Sequence, residues 1–190
     1  MNVIVVPDAA MIVIPLIEKN GHSYLSPSDF SKYDNMDICE GNLTYDNLLH
    51  TYSSSEIPSG IRGRLFLLSR VLNNADAAII IGKRPKNYIK MYNALNDLIL
   101  FGGNACNNAH SITVKMVEDL GIPTLKLAYP TNQNQLIDLI NKTNSFLKDL
   151  NPYSDSVNED GLTVDFKLKE DKYPIEDVKS ILNKLIYYEL

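Results

Sequence analysis

Short apolar runs alternate along the chain with longer stretches in which apolar residues recur every three or four positions. NVIVV (2–6), AAIII (77–81), LILF (98–101) and PTLKLAY (123–129) belong to the first kind. Strands buried on both faces read as continuous apolar runs rather than as strict alternation. Parallel strands are therefore expected near 2–6, 77–81, 98–101 and 123–128.

Between these runs the period changes to that of a helix. Asp8 is placed to cap a helix through about Asn20, with Gly21 at the C′ position and Pro15 weakening or kinking its middle. RLFLLSRVLNNA carries Leu65, Leu68, Val71 and Leu72 on one side, and NYIKMYNAL carries Tyr88, Met91, Tyr92 and Leu95. A further helix is expected over 105–120, ending at Gly121, and another after Asn132 with Leu136, Leu139, Ile140 and Phe146 inward. Regular alternation of strand and helix predicts an α/β domain over 1–150: a three-layer, doubly wound, mostly parallel sheet of Rossmann or flavodoxin-like type. Residues 26–56 are weakly patterned, with one short helix expected in TYDNLLHTY.

The texture changes after Leu150. NPYSDSVNEDG is a polar linker, and LTVDFKLK alternates strictly, with Leu162, Val164, Phe166 and Leu168 on one side. That pattern predicts an edge strand over 162–168 with one wet face. Pro174 then opens a helix striped by Ile175, Val178, Ile181, Leu182, Leu185 and Ile186. This extension, 151–190, is expected to pack on the main domain or on a partner subunit, as in a homodimer.

Composition narrows the function classes. The 190 residues carry a formal net charge of -5, against the basic face that a nucleic-acid binder needs. Two cysteines, Cys39 and Cys106, cannot form a disulfide framework. The apolar run from Ala9 to Ile17 is too short to span a bilayer, is broken by Pro15 and lacks a basic leader. A cytoplasmic protein is expected, with no nucleic acid or membrane among its partners.

In an open parallel sheet, ligands bind beyond the carboxyl ends of the strands. The segments that follow the strands include Pro7-Asp8, Gly82-Lys83-Arg84-Pro85-Lys86, Gly102-Gly103-Asn104-Ala105-Cys106 and Pro130-Thr131-Asn132. IPSGIRGR (57–64), which leads into a helix, is the most suggestive stretch at this rim. Its glycines let backbone N–H groups turn inward, and Arg62 and Arg64 offer guanidinium forks suited to phosphate or carboxylate. An anion site built from Ser59, Gly60, Arg62, Gly63, Arg64, Lys83 and Asn104 is expected from this glycine-bent loop. The competing reading is that these arginines pair with local acids and hold loops down. Neither the Walker A spacing nor a Gly-x-Gly-x-x-Gly fingerprint is present.

FGGNACNNAH (101–110) raises a second possibility. Asn104 can cap the helix, and a cysteine in the first turn, Cys106, would have a lowered pKa. Cys106 and His110 are four apart, a spacing that can hold one metal, with Cys39, His22 or His50 needed to complete it. A buried structural cysteine is the commoner case, so no metal and no cofactor is required. Asp8 is read chiefly as a helix cap, and His22 as a capping or turn residue. No nucleophile–base–acid set can be assembled from the spacing, so an enzyme is not the favoured reading.

LIEKNGH (16–22), SEIPSGIRGRL (55–65), ADAAIIIG (75–82) and LGIPTLKLAYP (120–130) resemble the methanogenesis marker protein 5 family, archaeal proteins of organisms that make methane. The similarity runs from the N-terminus to about Leu150, with IPSGIRGR its most specific part. The resemblance implies an accessory protein in the assembly or activation of methyl-coenzyme M reductase, with other maturation proteins as partners. The alternative is an enzyme or carrier that binds an anionic small molecule at Arg62, Arg64 and Lys83.

Overall fold

The computed structural model describes residues 1–8, 10–27, 45–52, 58–85, 94–102 and 107–150. Asn104, Cys106 and Cys39, most of the expected helix around Met91, and the extension with its strand at 162–168 and helix from Pro174 lie outside the described residues.

Four strands form one parallel sheet: β1 (Asn2–Val6), β2 (Ser23–Tyr24), β3 (Ala77–Ile81) and β4 (Thr124–Leu127), in the order β2-β1-β3-β4. Val3 lies opposite Ala77 and Val6 opposite Ile80, while Ala78 lies opposite Thr124 and Ile81 opposite Leu127. β1 and β3 are central, which is why their residues are apolar on both faces.

The helices are α1 (Ile14–Lys19), α2 (Tyr45–Tyr52), α3 (Ser59–Leu72), α4 (Ala94–Phe101), α5 (Asn107–Asp119) and α6 (Gln133–Asp149). One sheet face, with Val3, Val5, Ile79 and Ile81, packs against α1, α6 and the end of α4. The other, with Ile4, Val6, Ala78 and Ile80, packs against α2, α3 and α5. Two cores thus flank a single sheet. Fully burying one such aliphatic side chain is worth about 1.5–3 kcal/mol, which makes this layering the main source of stability.

Two sequence expectations change. The run LILF is the end of α4 and not a strand. A short apolar run fits either state by pattern alone; here Leu100 and Phe101 are buried while Leu95 and Leu98 face outward. The backbone N–H groups of Met11 and Ile12 donate to the carbonyls of Ile99 and Leu100, satisfying acceptors that a helix end leaves open. The first helix also starts later than expected. Pro15 stands in the first turn of α1, where its missing N–H costs nothing, so Asp8 caps no helix. Gly21 follows the C-cap at φ +76°, as the sequence predicted. β2 is a strand that the sequence did not announce.

The connections give the sheet its functional geometry. From β1 the chain passes through α1 to β2 on one side, then crosses back over the opposite face through α2 and α3 to β3. Direction reverses between β1 and β3, the point at whose carboxyl ends open parallel sheets place their ligands.

Candidate functional site

The carboxyl ends of β1 and β3 continue into Pro7-Asp8 and Gly82-Lys83-Arg84. Helices that precede a strand in a parallel sheet begin at this same rim, so the first turns of α3 and α5 lie here. Each helix start brings partial positive charge.

IPSGIRGR is not a bent loop over its described part. Pro58 is the cap residue, and Ser59, Gly60, Arg62, Gly63 and Arg64 all lie in the first two turns of α3. Two helical glycines each cost about 1 kcal/mol. Burial of Ile61, Leu65 and Leu68 along one stripe outweighs that cost and draws the segment into the helix. Among the described residues, a side chain at Gly60 or Gly63 would meet nothing within 4 Å.

Arg64 reaches the end of β1, where its Nη1 pairs with Asp8 Oδ1 at 2.5 Å. Both side chains are about four-fifths buried, and the Arg64 Nε is buried without a hydrogen-bond partner among the described residues. Arg62, two residues nearer the helix start, stays exposed. Lys83 leaves the end of β3, and its Nζ donates to the Ser111 Oγ of α5 at 2.7 Å. His110, the residue before Ser111, is only 8% exposed. Burial first, and then the charges of Lys83 and Arg64, push the His110 pKa below its ordinary value, so the imidazole is neutral at pH 7. Arg64, Lys83 and His110 are thereby brought within electrostatic reach of one another from three separate elements.

A second cluster fixes the neighbouring wall. Arg84 pairs with Asp97 of α4, and the Tyr129 hydroxyl beyond β4 donates to the other Asp97 oxygen. Asp97 and Tyr129 are both buried. The Tyr129 ring packs on Phe101 at 4.8 Å between centroids. Gly102 closes the arrangement at φ +70°, where a Cβ would lie 2.4 Å from the Asp8 carbonyl oxygen. Only glycine lets the chain pass so close to the turn that holds Asp8.

Several sequence expectations are redirected. Asp8 serves as the partner of Arg64. His22 is buried, and its Nε2 donates to the Leu147 carbonyl at 2.9 Å, tying the start of β2 to the end of α6. That position is at the opposite end of the sheet from His110, so the two histidines cannot share a metal. His50 is exposed on α2. Among the described residues no three His, Cys, Asp or Glu side chains gather as a metal site. Asp97, Ser111, Tyr129 and the tight contact of Gly102 went unnoticed in the sequence. No local pattern marks them, because each acts through a partner on a distant element.

Residues 1–150 match the family model described as "Uncharacterized protein conserved in archaea (DUF2112)". The chain belongs to this archaeal family. The DUF2112 match covers every described element, from β1 through α6. The chain is also 29% identical over 155 residues to "Uncharacterized protein MJ0404" of Methanocaldococcus jannaschii, covering 78% of this chain and 95% of that protein. No solved structure matches it. Among the described residues no helix is long and apolar enough to cross a membrane.

Proposed function

We propose that this chain binds an anionic small molecule, phosphorylated or carboxylated, in the crevice beyond β1 and β3, and does so as an accessory protein of methanogenesis. The observation that carries the reading is the convergence of Arg64 and Lys83 where the chain direction reverses. In doubly wound sheets of Rossmann or flavodoxin type this is where ligands sit. The buried Nε of Arg64, without a hydrogen-bond partner among the described residues, supplies a donor for an incoming oxygen. Ser59, Gly60 and Gly63 present the first turns of α3, Arg62 extends the positive surface outward, and Asn104, three residues ahead of α5 in the sequence, is a further ligand-binding residue in this proposal.

The setting rests on other grounds. IPSGIRGR and the strand runs resemble the methanogenesis marker protein 5 family, and a relative occurs in Methanocaldococcus jannaschii. Those two facts favour a role in assembly or activation of methyl-coenzyme M reductase, with the anion as the carried or sensed component and maturation proteins as partners. The location we propose is the cytoplasm.

The test is equilibrium dialysis of the full chain against a panel of phosphorylated and carboxylated coenzymes, with wild type and Arg64→Ala/Lys83→Ala side by side. One or more ligands should bind wild type, and the double variant should bind them at least about tenfold more weakly, the loss expected for one charge-assisted hydrogen bond. Equal binding by a folded double variant removes this site. If no ligand binds, and wild type instead retains reductase-maturation proteins from methanogen extract, the surface serves protein contacts alone.

A further inference from the structure

We infer that the site is proton-linked: a dianion held between Arg64 and Lys83 brings one proton onto the His110 imidazole as it binds. The inference rests on the anion-site reading above and deepens it by naming a ligand class, a dianionic phosphoryl or sulfuryl group, and a pH dependence.

The geometry is specific to His110. It lies in the first turn and a half of α5, which packs against α3 and β1. From α3 it meets the field of Arg64, and from the loop after β3 that of Lys83, which is tethered to the adjacent Ser111. The end of β1 contributes Asp8, whose carboxylate is engaged by Arg64. Arg62, also on α3, is exposed to solvent. An added proton on His110 would therefore join two cations at a position nine-tenths buried. Burial and both cations oppose that third charge.

A bound dianion reverses the balance. Arg64 is already paired with Asp8, so the dianion more than offsets Lys83 and places net negative charge beside the ring, which favours the protonated form. The proton comes from the buffer, and no covalent bond is made or broken. By linkage, a group whose pKa rises on binding makes binding tighten as pH falls, by up to about tenfold per pH unit between its free and bound pKa. A dianion exerts about twice the field of a monoanionic carboxylate at the same position, so proton uptake is largest for a phosphoryl or sulfuryl group.

Sodium sulfate is the probe, because it stays dianionic across this pH range while phosphate titrates. Calorimetric titration of the full chain at pH 6.5 and 7.5, in two buffers of different ionisation enthalpy, reads both affinity and protons taken up. Wild type should take up close to one proton per sulfate at a pH between the two pKa values and bind several-fold more tightly at the lower pH. His110→Gln should show no uptake and an affinity that does not change with pH. The wild-type His110 ring resonance, followed by NMR, gives a measure independent of that variant: its titration midpoint should move upward when sulfate is added. Sulfate binding without proton uptake, or uptake that persists in His110→Gln, overturns the inference and leaves the anion site standing. Failure of wild type to bind sulfate at either pH removes the dianion site and the inference together.

Discussion

Replacing Gly102 by alanine separates two costs that usually occur together. At φ +70° an alanine adopts a left-handed backbone at a cost of about 1–2 kcal/mol. The new methyl would also sit 2.4 Å from the Asp8 carbonyl oxygen and 3.3 Å from the Pro7 Cβ. Backbone at that distance has to move, and overpacking of this kind costs a further ~1–3 kcal/mol. Gly21 is the matched control, since its φ is +76° but, among the described residues, nothing lies within 4 Å of its would-be Cβ. Both alanines gain the same small benefit from a less flexible unfolded chain, roughly 0.4–1 kcal/mol, so the difference between them isolates the steric cost. Urea denaturation of the two variants at 25 °C should show Gly102→Ala less stable than Gly21→Ala by at least about 1 kcal/mol. Because the obstructed atom belongs to Asp8, the relief pushes Asp8 away from Arg64, and sulfate affinity should change in Gly102→Ala but not in Gly21→Ala. Equal stability of the two variants would refute the close approach and, with it, the claim that this glycine positions the rim.

Asp97→Ala removes the acceptor shared by Arg84 and Tyr129. Breaking so buried a pair costs on the order of 3 kcal/mol, so the melting temperature should fall by roughly 6–12 °C; a shift under 2 °C would show that the cluster contributes little. Deleting 151–190 bears on where the extension packs. α6 lies on the same face as α1, and Asn20–Asn144 and His22–Leu147 contacts hold its C-terminal half beside the start of β2. A right-handed crossover from there leads to the outer edge of β2, where the strand expected at 162–168 should add. The truncated chain should melt lower, with faster amide exchange at Ser23–Leu25; unchanged exchange there would place the extension elsewhere.

Much of the layering was legible in the sequence because burial leaves a period. β1 and β3 are apolar on both faces since both faces are covered, and the stripes of α3 and α6 repeat at helical spacing since each helix has one covered side. Gly21 and Gly121 marked the ends of α1 and α5 for an equally local reason: glycine tolerates positive φ. The run at 98–101 defeated the same logic. Four apolar residues contain too little period to tell strand from helix, and what decides the matter is distant: the N–H groups of Met11 and Ile12 on its last carbonyls, and Arg84 and Tyr129 on Asp97. β2, with two residues, has no period at all and exists because β1 offers it a ladder. The site divides in the same way. Arg64 and Lys83 stood out as cations beside glycines in an acidic chain. That Asp8 answers Arg64, that His110 is sealed beside both cations, and that Gly102 passes within contact of Asp8 are facts about residues tens of positions apart. Sequence records local preferences and which residues must be buried. Only the tertiary structure decides which charges share a low-dielectric space, and there a neighbour's field, rather than a residue's own chemistry, sets its protonation and its partners.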